Sequence, residues 1–119
     1  MPHTLTQVFQ SASLGRVLTL DGVVQFSERF EANYHELMGH LPVNILLGPH
    51  GVSKSGRDVS RHGLRVLILG GGDGGVATRM LMHREVAEVT LVEIDRTVAD
   101  TSGSFYGSIE ARFKALVRL

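Results

Sequence analysis

The stretch that decides the fold is LRVLILGGGDGG, residues 64–75. Its first half, residues 64–69, is a run of mostly apolar β formers, as in a parallel strand that helices bury on both faces. Gly70, Gly72 and Gly75 follow directly, in the spacing G-x-G-x-x-G. Glycines at these positions let the backbone turn sharply and let a ligand lie against the main chain. We therefore predict a strand, a ligand-binding loop and the start of a helix.

The pattern of a βαβ unit continues after this loop. Apolar residues at helical spacing cover residues 76–81, and EVTLVEID at residues 88–95 is typical of a second strand. Glu93 lies 21 residues after Gly72, near the end of that strand. A carboxylate in this place accepts hydrogen bonds from the two hydroxyls of a ribose, so we expect an adenosine-type ligand. The alternative is that the glycines only make a tight turn and that Glu93 is a solvated strand end.

The beginning of the chain predicts a small antiparallel β unit. Strand formers occupy residues 7–10, 16–20 and 23–26. Asp21 and Gly22, between the last two runs, are typical of a two-residue hairpin turn, because both tolerate the positive φ that the turn needs.

A helix is predicted after this β unit. We expect it to start at Ser27 or Glu28 and to end before Pro42. Its apolar side chains recur at helical spacing and are Phe30, Tyr34, Leu37, Met38 and Leu41. Residues 44–63 show no period and hold Gly, Pro, Ser and basic residues, which predicts a loop or linker.

Together these elements predict an α/β protein with two domains. Residues 1–28 form the small N-terminal antiparallel β unit, and residues 29–119 form the first part of a Rossmann-like parallel sheet. Within the second domain, residues 96–106 predict a weak helix and residues 112–119 begin a third strand. On this prediction the Rossmann-like nucleoside-binding domain is incomplete.

Composition excludes several classes of function. The chain has 12 Lys and Arg against 12 Asp and Glu, so no excess of positive charge favours a nucleic acid or a membrane surface as partner. The absence of Cys excludes a disulfide framework, a thiol nucleophile and a Cys-ligated zinc. Neither a signal peptide nor an apolar run of roughly 18 residues is present, and we expect a cytoplasmic protein.

A metal site on histidine is not expected. The chain has six histidines, which are His3, His35, His40, His50, His62 and His83. His35 and His40 are five positions apart, and this spacing does not place two ligands on one face of a helix.

Asp73 discriminates between possible ligands of the glycine loop. Its carboxylate would repel the pyrophosphate of a dinucleotide or the phosphates of ATP. A sulfonium nucleoside is an adenosine-type cation and fits better. S-adenosylmethionine carries a carboxylate beside its amine, whereas the decarboxylated form presents only a sulfonium and a terminal ammonium. A carboxylate directed at the ligand tail therefore favours the decarboxylated form.

Four fragments occur in the same order as in the polyamine aminopropyltransferases, the spermidine synthase family. They are GRVLTLDGVVQ at 15–25, YHE at 34–36, VLILGGGDGGV at 66–76 and VEID at 92–95. The chain resembles the N-terminal part of this family. The resemblance implies a small β domain joined to a Rossmann-like methyltransferase fold.

The resemblance also implies an activity, which is transfer of an aminopropyl group from decarboxylated S-adenosylmethionine to putrescine or a similar amine in polyamine biosynthesis. The second product is methylthioadenosine. The donor is a co-substrate, and no other cofactor or metal is implied. Nucleic acids and membranes are not implied as partners. The resemblance also implies that a complete protein forms a homodimer or higher oligomer.

The resemblance also implies ligand-binding roles for individual residues. Donor-binding positions are Gln25, Gly70, Gly72, Asp73, Gly75 and Glu93, and polyamine-binding positions are Tyr34, His35 and Asp73. Glu93 would bind the ribose hydroxyls, Asp73 the aminopropyl amine, and Gln25 the rim of the site. Without the resemblance, Tyr34 would be a core residue on the apolar stripe and His35 an ordinary hydrogen-bonded residue.

The chain also departs from the family. Nothing in it matches the Asp-rich segment, ending in Asp-Pro, that carries the family's catalytic Asp, so no catalytic residue is assigned. Phe30 stands where an Asp is usual, and Ala77-Thr78-Arg79 replaces Leu-Arg-Glu. We expect a truncated chain that is inactive alone. The alternatives are an S-adenosylmethionine-dependent N-methyltransferase of the same fold and a non-catalytic fragment or pseudoenzyme.

Overall fold

The computed structural model describes residues 5–48, 63–106 and 113–117. The elements in these residues are β1 (Thr6–Ser11), β2 (Gly15–Leu20), β3 (Val23–Ser27), α1 (Glu31–Leu47), β4 (Leu64–Leu69), α2 (Gly75–Leu81), β5 (Val86–Glu93), α3 (Arg96–Tyr106) and β6 (Phe113–Val117). The chain divides into two compact units, the first ending at Tyr34 and the second beginning at His35. Among the helices of the described residues, none is long and apolar enough to cross a bilayer.

The first unit contains an antiparallel sheet with the strand order β1-β2-β3. Its second turn has Asp21 at φ 50° and Gly22 at φ 79°, which is the left-handed backbone that the hairpin requires. Val17, Leu18 and Phe26 are the buried apolar side chains of this unit. The predicted β unit and its turn are confirmed.

The predicted start of α1 at Ser27 or Glu28 is wrong. Residues 28–30 form a turn and the helix begins at Glu31. The Glu28 carboxylate accepts hydrogen bonds from the backbone N and the side-chain Nε of Arg16, both at 2.7 Å. The backbone hydrogen bond, followed by that from the side chain, lowers the pKa of the Glu28 carboxyl. This residue therefore extends the pairing of β2 and β3 instead of starting the helix.

The predicted end of α1 before Pro42 is also wrong, because the helix includes Pro42 and continues to Leu47. Pro42 lacks an N–H and cannot bond the carbonyl of Met38. Val43 and Leu47, which follow it, are buried in the core of the second unit, and their burial offsets the lost hydrogen bond. The first residues of the predicted loop 44–63 are thus helical, and residues 49–62 lie outside the described part.

The second unit contains a parallel sheet with the strand order β4-β5-β6. Helix α2 connects β4 to β5, which confirms the predicted βαβ unit, and β6 confirms the third strand. The core on one face of this sheet is formed by Val43, Leu47, Val76, Ala77, Met80, Leu81, Val86, Val89 and Leu91. Leu64, Val66 and Ile68 of β4 pack against it.

The prediction that β4 is buried on both faces is wrong. Its side chains alternate, with Leu67 62% and Leu69 77% exposed. The core formed by α1 and α2 contacts only the face of β4 that carries Val66 and Ile68. The mostly apolar run at 64–69 therefore predicts the strand but does not show which of its two faces is covered.

Candidate functional site

The glycine-rich loop connects the end of β4 to α2. Gly70, Gly71 and Gly74 have φ values of 78°, 71° and 78°, a left-handed conformation in which a Cβ is strained. The N–H of Gly70 donates to Val92 O at 2.8 Å, and the N–H of Gly74 donates to Gly71 O at 2.9 Å. The first contact fixes the loop to β5, and the second closes its turn.

Glu93, the last residue of β5, closes the loop through its side chain. Its Oε2 accepts a hydrogen bond from the N–H of Gly72 at 2.9 Å. Its Oε1 accepts from the N–H groups of Ile94 at 2.8 Å and Asp95 at 3.0 Å. A Cβ on Gly72 would lie 2.7 Å from Oε2, so the carboxylate needs glycine at this point of the loop. Glu93 is buried and held by three backbone donors, which excludes the alternative of a solvated strand end.

Asp73 occupies the loop just before α2. Its Oδ1 accepts a hydrogen bond from the N–H of Gly75 at 2.9 Å. The N-cap position is Gly74, which has no side chain to cap the helix. Asp73 therefore satisfies one of the free N–H groups at the start of α2, while its side chain remains 17% exposed.

His35 on α1 contacts the other oxygen of Asp73. Its Nε2 lies 3.2 Å from Asp73 Oδ2, and its side chain is 2% exposed. The imidazole ring lies against Gly75, where a Cβ would overlap ring atoms Cε1, Nδ1 and Cγ. The structure thus brings together six predicted positions of the second unit, which are His35, Gly70, Gly72, Asp73, Gly75 and Glu93. Nothing in the sequence pattern indicated the contact between His35 and Asp73.

The helical face that α1 buries differs from the predicted one. The predicted stripe of Phe30, Tyr34, Leu37, Met38 and Leu41 is exposed, and the buried residues are His35, Gly39, Val43 and Leu47. Gly39 explains the difference, because a Cβ there would overlap Cβ of Arg79 on α2. The close approach of the two helices requires the face with the glycine to point inward.

Tyr34 and Gln25 belong to the first unit. Tyr34 is 59% exposed, so it is not the core residue that its apolar stripe favoured. Gln25 is exposed on β3, and its Nε2 donates to Val23 O at 3.4 Å. Their predicted contacts with ligand stay predictions.

Sequence reasoning also missed a contact between two histidine rings. His40 on α1 and His83, between α2 and β5, lie with Nδ1 of His40 2.8 Å from Nε2 of His83. The two residues are 43 positions apart, so helix spacing gave no signal. Within residues 5–48, 63–106 and 113–117, no three His, Asp or Glu side chains are grouped as metal ligands.

Comparisons with known proteins find a matching domain family and similar proteins that agree with each other. The model of the spermine/spermidine synthase domain matches residues 31–116. A polyamine aminopropyltransferase of Ruegeria sp. (strain TM1040) is 45% identical over 103 residues, which are 87% of this chain and 31% of that protein. A spermidine synthase of Coffea arabica is 37% identical over 107 residues, 90% of this chain and 29% of that protein. The chain thus spans less than a third of these relatives.

Solved structures agree with these relatives. A spermidine synthase in complex with the transition state analogue AdoDATO aligns with a TM-score of 0.75 and 26% identity, covering 99% of this chain and 37% of that one. The spermidine synthase of Thermotoga maritima also gives a TM-score of 0.75 and 26% identity, covering 100% of this chain and 39% of that one.

An antiparallel β unit, followed by a parallel βαβ sheet with a glycine loop after its first strand, defines a protein of the Rossmann-like methyltransferase fold. Within that class, the matched domain and the relatives show a particular family. The chain belongs to the spermine/spermidine synthase domain family, which confirms the resemblance.

Proposed function

We propose that this chain binds decarboxylated S-adenosylmethionine and takes part in the transfer of its aminopropyl group to putrescine or a similar amine. Membership of the family supports this proposal. The observation that carries it is the carboxylate of Asp73, partly exposed on the glycine loop and held by Gly75 and His35. A fixed negative charge at this point favours a cationic ligand tail and opposes phosphate.

Glu93 is proposed to bind the ribose hydroxyls of the donor. A carboxylate oxygen offers two acceptor positions, and Oε2 uses one of them on Gly72. The other position is available to a hydroxyl. Oε1 already accepts from Ile94 and Asp95, so a second hydroxyl would share or replace one of these hydrogen bonds. Gly70, Gly72 and Gly75 let the ligand lie against the main chain.

The proposed reaction is a direct displacement. The nitrogen of a neutral primary amine attacks the propyl carbon bonded to the sulfonium, a C–N bond forms, and the C–S bond breaks with its electron pair left on sulfur. The products are neutral methylthioadenosine and the aminopropylated amine. An alkylammonium has a pKa of about 10, so the acceptor must lose a proton before it attacks. We assign no residue of this chain as the base, and the reaction needs no metal.

Tyr34, His35 and Asp73 are proposed at the polyamine end of the site, and Gln25 at the rim, as the resemblance implies. We also propose a cytoplasmic protein that forms a homodimer or higher oligomer, with an N-terminal domain at 1–28 and the Rossmann-like domain at 29–119. Alignment of two cations beside acidic side chains supplies most of the catalysis in this proposal.

Calorimetric titration of three ligands into the chain tests the proposed function. We expect decarboxylated S-adenosylmethionine to bind about tenfold or more tightly than S-adenosylmethionine, and methylthioadenosine to bind measurably. Preference for S-adenosylmethionine would instead support an N-methyltransferase. Absence of binding by all three ligands would overturn the assignment. Mixing the donor with putrescine should give no spermidine, and spermidine formation would show that this chain contains a base.

A further inference from the structure

His35 and Asp73 form a contact in which only one partner is accessible. The side chain of His35 is 2% exposed, whereas that of Asp73 is 17% exposed. A ligand that enters from solvent therefore meets the carboxylate, and the imidazole lies behind it. Direct contact between His35 and an amine would require the ring to leave its place against Gly75.

Two donors fix the carboxylate of Asp73, one on each oxygen. An ionised carboxylate only accepts hydrogen bonds, so Nε2 of His35 carries the proton that is shared with Oδ2. The N–H of Gly75 occupies Oδ1. Together they hold the plane of the carboxylate, and each oxygen keeps one acceptor position for a ligand ammonium. Without the His35 contact, the carboxylate of Asp73 could rotate about the bonds of its side chain.

We propose that His35 is a positioning residue, which acts on an amine-bearing ligand through Asp73 and not by contact with it. The identity of the cation rests on the proposed function, but the positioning itself does not. Gly75 completes the arrangement, because the absence of a Cβ lets the ring lie on the first residue of α2.

A ligand-free measurement tests the positioning directly. The N–H of Gly75 donates to Asp73, so its hydrogen exchange reports whether the carboxylate is held. His35→Phe keeps a flat ring but removes the donor, and we expect exchange at Gly75 to accelerate about tenfold. His35→Gln keeps an N–H donor of similar reach and should restore slow exchange. Glu36→Gln, at the next and exposed position of α1, is the matched control and should leave exchange at Gly75 unchanged.

A double-mutant cycle then tests the route to the ligand. His35→Phe should weaken decarboxylated S-adenosylmethionine about tenfold, and His35→Gln should stay within about threefold of the unmodified chain. In an Asp73→Asn background, His35→Phe should add less than about twofold, because two residues acting as a unit are not additive. Methylthioadenosine, which has no aminopropyl group, should bind all variants alike and serves as the control for folding.

Two outcomes would overturn the proposal. Independent effects of the two substitutions on donor affinity would show that His35 contacts the amine directly. Unchanged exchange at Gly75 in His35→Phe would show that the imidazole does not hold Asp73. If no ligand binds the unmodified chain, the proposed function fails, whereas the exchange measurement still decides the positioning role.

Discussion

Nδ1 of His40 lies 2.8 Å from Nε2 of His83, with the ring centroids 5.0 Å apart and the planes at 65°. At this distance one ring nitrogen donates a hydrogen bond and the other accepts it. The contact joins α1 to the segment between α2 and β5. It requires that at least one of the two facing nitrogens carries no proton, since two N–H groups cannot bond each other.

The stability of the fold should therefore decrease in mild acid. Burial, followed by the charge of His40, lowers the pKa of His83 below its ordinary value of 6.5, and the nearby Glu85 opposes this shift. Because the unfolded chain binds the proton more readily, the stabilisation is complete above pH 6.5 and is lost as the pH falls through the lowered pKa.

Urea unfolding measured between pH 8 and pH 4 checks this expectation. The midpoint should fall with decreasing pH, and His83→Gln should flatten that decrease. Met82→Gln, at a neighbouring exposed position without a titrating group, is the control and should keep the pH dependence of the unmodified chain. If the urea midpoint of His83→Gln fell with pH as steeply as that of the unmodified chain, His83 would not be the source of the acid destabilisation.

Glu93→Gln should weaken both the loop and its ligand. The amide keeps one oxygen but presents an NH2 group to a backbone N–H, and an unsatisfied buried donor costs about 1–3 kcal/mol. We expect that loss in the free energy of unfolding without ligand, together with weaker methylthioadenosine binding by calorimetry. Polyamine affinity should change little. Equal weakening of methylthioadenosine and polyamine would count against the ribose assignment.

Asp73→Asn should change the choice of donor. Loss of the carboxylate removes an attractive partner for the ammonium, on the order of 2 kcal/mol or more, and also removes the repulsion of the carboxylate of S-adenosylmethionine. Both donors should be titrated into both proteins. The variant should prefer decarboxylated S-adenosylmethionine over S-adenosylmethionine by a smaller factor than the unmodified chain does. An unchanged ratio of the two affinities would favour the methyltransferase alternative.

Gly75→Ala should destabilise the chain through the ring of His35. The new Cβ would overlap the imidazole, and overpacking of this kind costs about 1–3 kcal/mol. His35→Ala makes room for that Cβ, so the double variant should be less destabilised than the two single effects added together. Chemical denaturation of the four proteins measures this coupling. Additive losses would mean that the ring and Gly75 are not in contact.

Short-range patterns were sufficient to predict much of this fold. Strand formers, the Asp21-Gly22 turn and the glycine loop each depend on a few adjacent residues, and the structure has all of them. The two side-chain pairs are different. His35 and Asp73 are 38 positions apart, and His40 and His83 are 43 apart. Such contacts depend on how α1 packs within the second unit, which no local spacing encodes.

The error in the buried face of α1 has the same origin. A count of apolar side chains favoured the stripe that contains Leu37 and Leu41, yet both are exposed. Gly39 decides the packing because it admits Arg79 at close range. A glycine inside a helix lowers helix propensity and adds no apolar surface, so a periodicity argument gives it little weight. In this structure Gly39 lies on the face of α1 that approaches α2 most closely.

The position of Glu93 has a consequence for how related sequences are interpreted. Its carboxylate closes the glycine loop through Gly72 in the absence of any nucleoside, so natural selection for a folded domain is enough to retain an acidic residue there. A related chain that binds no nucleoside would keep this residue for the same reason. Asp73 likewise accepts a hydrogen bond from the N–H of Gly75, so an acidic residue at either position in a related sequence indicates an intact loop before it indicates a ligand.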